Sequence, residues 1–173
     1  TSNGADYQYV MTLIASHKDK MHPVLASLMD ERFTKPLYQR MEKAGFPMVP
    51  YVDPKDDIPE SGLVSFLESP RYSTGYAALH HTIGYMPETH MWKSYSQRVQ
   101  SMYRLLQELL AVTVQEQKLV VTTRREIKKN IKEQQTFTVS WKLDTNIVDK
   151  LPFLGYQAGY KKSEISGLDR LFY

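Results

Sequence analysis

The chain predicts an α/β fold followed by β-rich sequence, and three patterns carry that expectation. Leu25, Leu28, Met29, Phe33, Leu37 and Met41 recur at three- and four-residue spacing, the signature of one helix face turned to a core. Thr82 to His90 is a short apolar run of strand character that contains one carboxylate, Glu88. Thr136-Phe137-Thr138-Val139-Ser140-Trp141-Lys142-Leu143 alternates with period two, the pattern of a half-buried strand.

The elements follow in order. Thr1 to Asp6 is turn-like, and Asp6 is placed to cap a helix from Tyr7 to about His17. A second helix runs from Pro23 to Ala44, interrupted at Pro36 and ended by Gly45. Phe46 to Val52 carries Pro47 and Pro50 and reads as an edge strand or extended segment. Asp53 to Gly62 is a loop, and Leu63 to Leu67 is mixed in character. Ser73 or Thr74 caps a short helix through Leu79, and the strand over Thr82 to His90 follows. From Ser94 to Ile131 neither Gly nor Pro occurs, which predicts one long helix, loosened where Val120-Val121-Thr122-Thr123 is β-branched. After Gln135 aromatic residues and glycines dominate, so the chain divides into residues 1–135 and a β-rich segment, residues 136–173.

Composition removes several function classes. With 42% hydrophobic and 24% charged residues the chain is globular rather than disordered. The absence of cysteine excludes disulfides, thiolate metal sites and a Cys nucleophile. The net charge is +3. Its basic cluster, Arg124-Arg125, Lys128-Lys129 and Lys132, lacks interleaved aromatic residues and reads as a solvated helix face, not a nucleic-acid surface. No apolar run reaches the length of a membrane span. The start at Thr1 rather than Met leads us to expect a piece of a longer protein.

Candidate site residues fall in one stretch. A carboxylate inside an apolar strand costs free energy unless something pairs with it, so Glu88 is either a strand-end acid bonded to backbone or arginine, or a catalytic group. Residues two apart on a strand share a face, which sets Glu88 beside Met86 and His90. His80, His81, Glu88 and His90 are the only histidine-rich grouping near it. Adjacent histidines cannot point the same way, however, and no HExxH or other compact ligand spacing occurs, so solvated or core histidines are the expected state. Arg71-Tyr72-Ser73-Thr74-Gly75-Tyr76 is a polar loop ahead of the strand, able to clamp a carboxylate through Arg71 or to be simply an exposed turn.

These segments resemble, in order, parts of the carboxypeptidase A-like zinc peptidases as found in bacteria. TSNGADYQYVM is similar to the segment after the family's third zinc ligand, RYSTGYAAL to the substrate loop, and GYMPETHMWKSYSQRV to the last core strand with its catalytic glutamate and the helix beyond. The resemblance covers roughly Thr1 to Val114, and the tail resembles a β-rich extension. It implies a partial mixed sheet flanked by helices, the C-terminal part of that fold. It implies Glu88 as general base and Arg71, Tyr72 and Tyr76 as substrate-binding residues. It also implies a parent zinc-dependent metallocarboxypeptidase that hydrolyses C-terminal peptide bonds of peptide or protein substrates, in a periplasmic or secreted location. The family's HxxE ligand pair does not occur in this chain. Zinc is therefore expected in the parent and none in this chain, which alone is expected to be inactive. The alternative is a non-catalytic peptide-binding or interaction module on a peptidase-like fold. An uncovered sheet edge and the stripe Val99, Met102, Leu106, Leu109 and Leu110 on the long helix predict self-association.

Overall fold

The computed structural model describes residues 6–56, 61–157 and 159–172. A three-stranded mixed sheet forms its centre, in the order β2-β1-β3. The middle strand is β1 (Met11–Ala15); β2 (Met48–Pro50) runs parallel to it and β3 (Tyr85–Thr89) antiparallel. The edge strand over the Pro47–Pro50 region and the strand ending near His90 are thus where the sequence put them. The middle strand is not, since a helix was expected over Tyr7 to His17. Met11, Thr12, Leu13 and Ile14 are all buried, and a strand buried on both faces gives a continuous apolar run that periodicity cannot separate from a buried helix. Asp6 caps nothing; its carboxylate accepts from its neighbour Tyr7 N–H at 2.9 Å.

The parallel β1–β2 pair needs a crossover, and the helix expected over Pro23 to Ala44 supplies it. It is built as α1 (Pro23–Met29), a π turn over Asp30–Thr34, and α2 (Lys35–Lys43). The widened turn lies just ahead of Pro36, which has no N–H to give the ladder and whose ring crowds the carbonyl four residues back. Gly45 ends α2 at φ +81°. Phe46 N–H reaches Met41 O at 2.9 Å and Gly45 N–H reaches Glu42 O at 3.0 Å, the Schellman closure that favours glycine.

The short helix α3 (Ser73–Leu79) has Tyr72, not Ser73 or Thr74, at its N-cap, and no side chain caps it. The long helix α4 (Tyr95–Glu133) begins at Ser94, whose hydroxyl and the Gln97 side chain form a reciprocal capping box. It does not loosen at Val120-Val121-Thr122-Thr123. Thr122 Oγ1 bonds back to the Lys118 and Leu119 carbonyls at 3.0 Å each, and Val120 packs onto the core.

The helices cover one face of the sheet. Met11, Leu13 and Met48 meet Phe33, Leu37, Met41, Leu105 and Val112 there, and Met21, Leu25, Leu28, Met29, Ala78 and Ile127 continue the core alongside. Glu108, mostly buried, ties α2 to α4 by accepting from Arg40 at 3.1 Å and Arg104 at 2.6 Å. Truncating Leu37 to Ala in this cluster is expected to cost about 2–5 kcal/mol. The check is a lower urea midpoint with an unchanged slope.

One expectation for the C-terminal half is corrected, and the stripe on α4 proves divided. Leu105, Val112 and Ile127 of α4 are buried in the core; of the expected stripe Met102 and Leu109 pack against that core, whereas Val99, Leu106 and Leu110 are 47%, 51% and 65% exposed. Apolar residues lie around much of this helix, so its sequence alone did not fix which face turns inward. Thr136 to Leu143 forms no strand despite its alternation. A strand pattern needs a pairing partner to become a strand, and this segment runs along the surface with Trp141 Nε1 donating to the Asp19 carbonyl at 3.1 Å. The strands described in the tail are β4 (Gly159–Lys162) and β5 (Asp169–Phe172), an antiparallel pair.

Candidate functional site

Glu88 is the penultimate residue of β3 and lies opposite Thr12 of β1, with Met86 opposite Ile14. Alternation places Thr12, Ile14, Met86 and Glu88 on the face away from the helical core. Glu88 is half-buried. Beside it stands Tyr7, whose phenol is fully buried and finds no hydrogen-bond partner. Burial holds that phenol well above its ordinary range, and the nearby charges of Tyr51, Glu88 and Asp6 push the same way. The neighbourhood therefore sets one strand-end carboxylate and the Tyr51 phenol within electrostatic reach of buried Tyr7.

Behind Glu88 is a pair the sequence did not reveal. His90 is buried. Its Nδ1 accepts the Trp92 N–H at 3.2 Å, so the neutral ring carries its proton on Nε2. Nε2 faces Asp6 Oδ1 at 3.1 Å, an electrostatic contact rather than a well-aligned hydrogen bond. Lys93 Nζ approaches the same carboxylate oxygen at 3.4 Å, and the Tyr7 ring lies 4.4 Å from the imidazole. Burial lowers the His90 pKa, Lys93 adds to the effect, and Asp6 opposes it. His81, in the left-handed region at φ 49°, is lowered as well, by burial first and then by His22 and Arg124. A histidine whose folded pKa lies below its unfolded value near 6.5 contributes stability above that value and loses it as pH falls. The urea midpoint is accordingly expected to drop between about pH 7.5 and about pH 5.5. A midpoint that is flat or rising over that interval would contradict the assignment.

The loop bearing Arg71, Tyr72 and Tyr76 is clamped rather than loose. Glu68 is fully buried; its Oε1 accepts the His17 N–H at 2.9 Å, and Lys20 Nζ donates to its main-chain carbonyl. Ser16 Oγ donates to the Thr74 carbonyl at 2.9 Å. A Cβ at Gly75 would fall 2.3 Å from the Ser69 carbonyl oxygen, so the loop closes on itself only because that residue is glycine. Ser73 Oγ lies 3.9 Å from Met86 Sδ, which sets the start of α3 over the Glu88 face of β3. Tyr72 stands edge-on to Phe66 at 5.2 Å, and Phe66 in turn touches Tyr51 at 6.0 Å. Arg71 is exposed, and Tyr76, also exposed, lies tilted against His80 with ring centroids 4.5 Å apart. Tyr72 is thus linked through Phe66 to Tyr51, while Arg71 and Tyr76 are exposed.

A cleft of about 790 Å³ opens at the carboxyl ends of the parallel pair β1 and β2, the position at which open α/β sheets bind ligands. Ile14, Tyr51 and Phe66 from the body and Lys150, Leu151 and Phe153 from the tail are among its lining residues. Glu88 is not among them. Its register partner Thr12 lies two residues before Ile14 on β1, roughly 7 Å along the strand.

Among the described residues no group of three or more His, Asp or Glu side chains is arranged to hold a metal ion. His90 faces Asp6 in the interior, and His80 lies against Tyr76. The described residues do not make a zinc site. Compared with known proteins, the chain matches no family model, no curated protein and no solved structure.

Proposed function

We propose that this chain is the general-base-bearing part of a zinc-dependent metallocarboxypeptidase, a hydrolase of C-terminal peptide bonds, with Glu88 as the base and Arg71, Tyr72 and Tyr76 as substrate-binding residues. The observation that supports this reading most is the position of Glu88: a half-buried carboxylate at the end of a sheet strand, on the face away from the main helical core, where the start of α3 meets Met86. In that role the carboxylate takes a proton from the attacking water and returns it to the leaving amine. Arg71, exposed at the loop, is free to reach a substrate carboxylate with its planar fork. The metal ligands are assigned to sequence outside this chain, which alone is proposed to be inactive.

A second reading, a non-catalytic peptide-binding module, is favoured by the cleft beside β1 and β2. One experiment separates the two. The chain is assayed on an N-acylated dipeptide, alone and joined to a preceding segment that carries an HxxE pair and a terminal histidine, with zinc present. Cleavage only by the joined form supports the peptidase. Peptide binding without cleavage in both forms supports the binding module.

Among the described residues no helix is long and apolar enough to cross a membrane. Self-association is proposed through the exposed Val99, Leu106 and Leu110 of α4. Light scattering should then give a mass above 20.1 kDa that rises with concentration; a constant monomer mass would count against it.

A further inference from the structure

One flank of α4 turns an unbroken apolar row to solvent. Tyr95, Val99, Tyr103, Leu106, Leu110 and Val114 follow one another at four- and three-residue steps, and all six are between 47% and 76% exposed. At about 3.6 residues per turn they lie along one side of the helix. Gln117 and the exposed Val121 extend the row, to a length of roughly 40 Å. No charged residue stands in it. Arg104, which falls between its members in sequence, is turned to Glu108. The charges collect beyond the row, in Arg124, Arg125 and Lys128. Ahead of it stand Met91 and Trp92, both exposed. Summed over those exposures, the row offers on the order of 800 Å² per copy, the share each partner gives to a specific interface and more than a lone protein commonly leaves bare.

We infer that this face is covered by the same face of a second copy, laid antiparallel about a twofold axis between Leu106 and Leu110. The inference rests on the self-association proposed above and adds its orientation and register. Charge selects the orientation. In a parallel pair Arg124, Arg125 and Lys128 would meet their own counterparts, and like charges set against each other oppose association. In an antiparallel pair the basic part of each helix lies along the exposed aromatics at the start of the other, Trp92 and Tyr95, whose ring faces attract cations. The spacing of the row selects the register. Leu106 of one copy faces Leu110 of the other across the axis, Tyr103 faces Thr113, and Tyr95 faces Val121. Such a pair is closed: each copy uses the one row, and none is left for a third.

The chain contains no cysteine, so introduced cysteines report which positions meet. Two variants of the full chain, one lengthened by a tag, are mixed and oxidised. Tyr95→Cys with Val121→Cys, and Leu106→Cys with Leu110→Cys, are expected to cross-link. Tyr95→Cys alone and Val121→Cys alone are not, because a disulfide spans only about 4–7 Å between Cα atoms. Leu110→Glu, at a position exposed to solvent, should leave the far-UV spectrum unchanged and weaken association at least about tenfold. Self-linking of Tyr95→Cys or of Val121→Cys in a sample of dimer mass would overturn the antiparallel arrangement and leave self-association standing. A dimer unmoved by Leu110→Glu would take the interface off α4. A constant mass of 20.1 kDa would overturn both. Binding of that monomer to vesicles of phosphatidylcholine and phosphatidylserine, lost in Leu110→Glu, would give the face to a lipid surface instead.

Discussion

Glu88→Gln, made in a catalytically complete protein that carries this segment, is expected to lower kcat by roughly 10²- to 10⁴-fold with KM nearly unchanged, the contribution typical of a positioned general base. Gln preserves the size of the side chain and its place opposite Thr12 on β3, but its amide cannot take the proton. The fold should survive the change, because Glu88 is half-buried and lies outside the clusters that hold the sheet to the helices. The steady-state assay is accordingly run beside a thermal melt. A kcat within threefold of the unaltered protein and an unchanged melt would remove Glu88 from the base role and shift weight to the binding-module reading.

Among the described glycines, Gly75→Ala is expected to be the most damaging added methyl. The added Cβ would meet the Ser69 carbonyl oxygen at 2.3 Å and the Ser69 carbonyl carbon at 2.7 Å, both main-chain atoms, and the Glu68 Cγ at 3.0 Å. A flexible side chain could give way; a backbone carbonyl held in a turn cannot, and Tyr72 N–H already bonds to that same oxygen. The overpacking cost is expected to reach about 3 kcal/mol, which in a chain of this size is a fall in Tm of roughly 6–12 °C. The loop that presents Arg71 and Tyr72 would shift with it, so weaker substrate binding should accompany the lower melt. By contrast, Gly45→Ala meets no atom within 4 Å, and its effect should be only the smaller cost of a non-glycine residue at φ +81°. If the two variants melted together, the close approach at Ser69 would not be a constraint.

Much of the architecture was legible because its signals are local. The α4 helix followed from an unbroken periodic stretch free of Gly and Pro, and its Ser94–Gln97 capping box emerged only in the structure. The end of α2 followed from Gly45, and the interruption near Pro36 from proline's missing N–H. Glu88 near the end of a strand followed from a lone acid in an apolar run. Tertiary partners decided the rest. Met11 to Ala15 became the central strand because β2 and β3 pair with both of its edges, and nothing within those five residues distinguishes that outcome from a buried helix. Thr136 to Leu143 has stronger strand character and forms no strand, because no neighbouring strand meets it.

The candidate site divides the same way. Sequence alone marked Glu88, Arg71, Tyr72 and Tyr76 by residue type and order, and excluded thiolate and disulfide chemistry through the absence of cysteine. Only the tertiary structure set His90 against Asp6 across more than eighty residues, buried Glu68 under the loop, and brought Phe153 onto Tyr7 and Tyr9. The physical reason is that periodicity, capping and turn chemistry act within a few residues along the chain. Burial of a charge, the choice of helix face and the closing of a cleft depend on which distant segments arrive at the same place, and that is settled by packing.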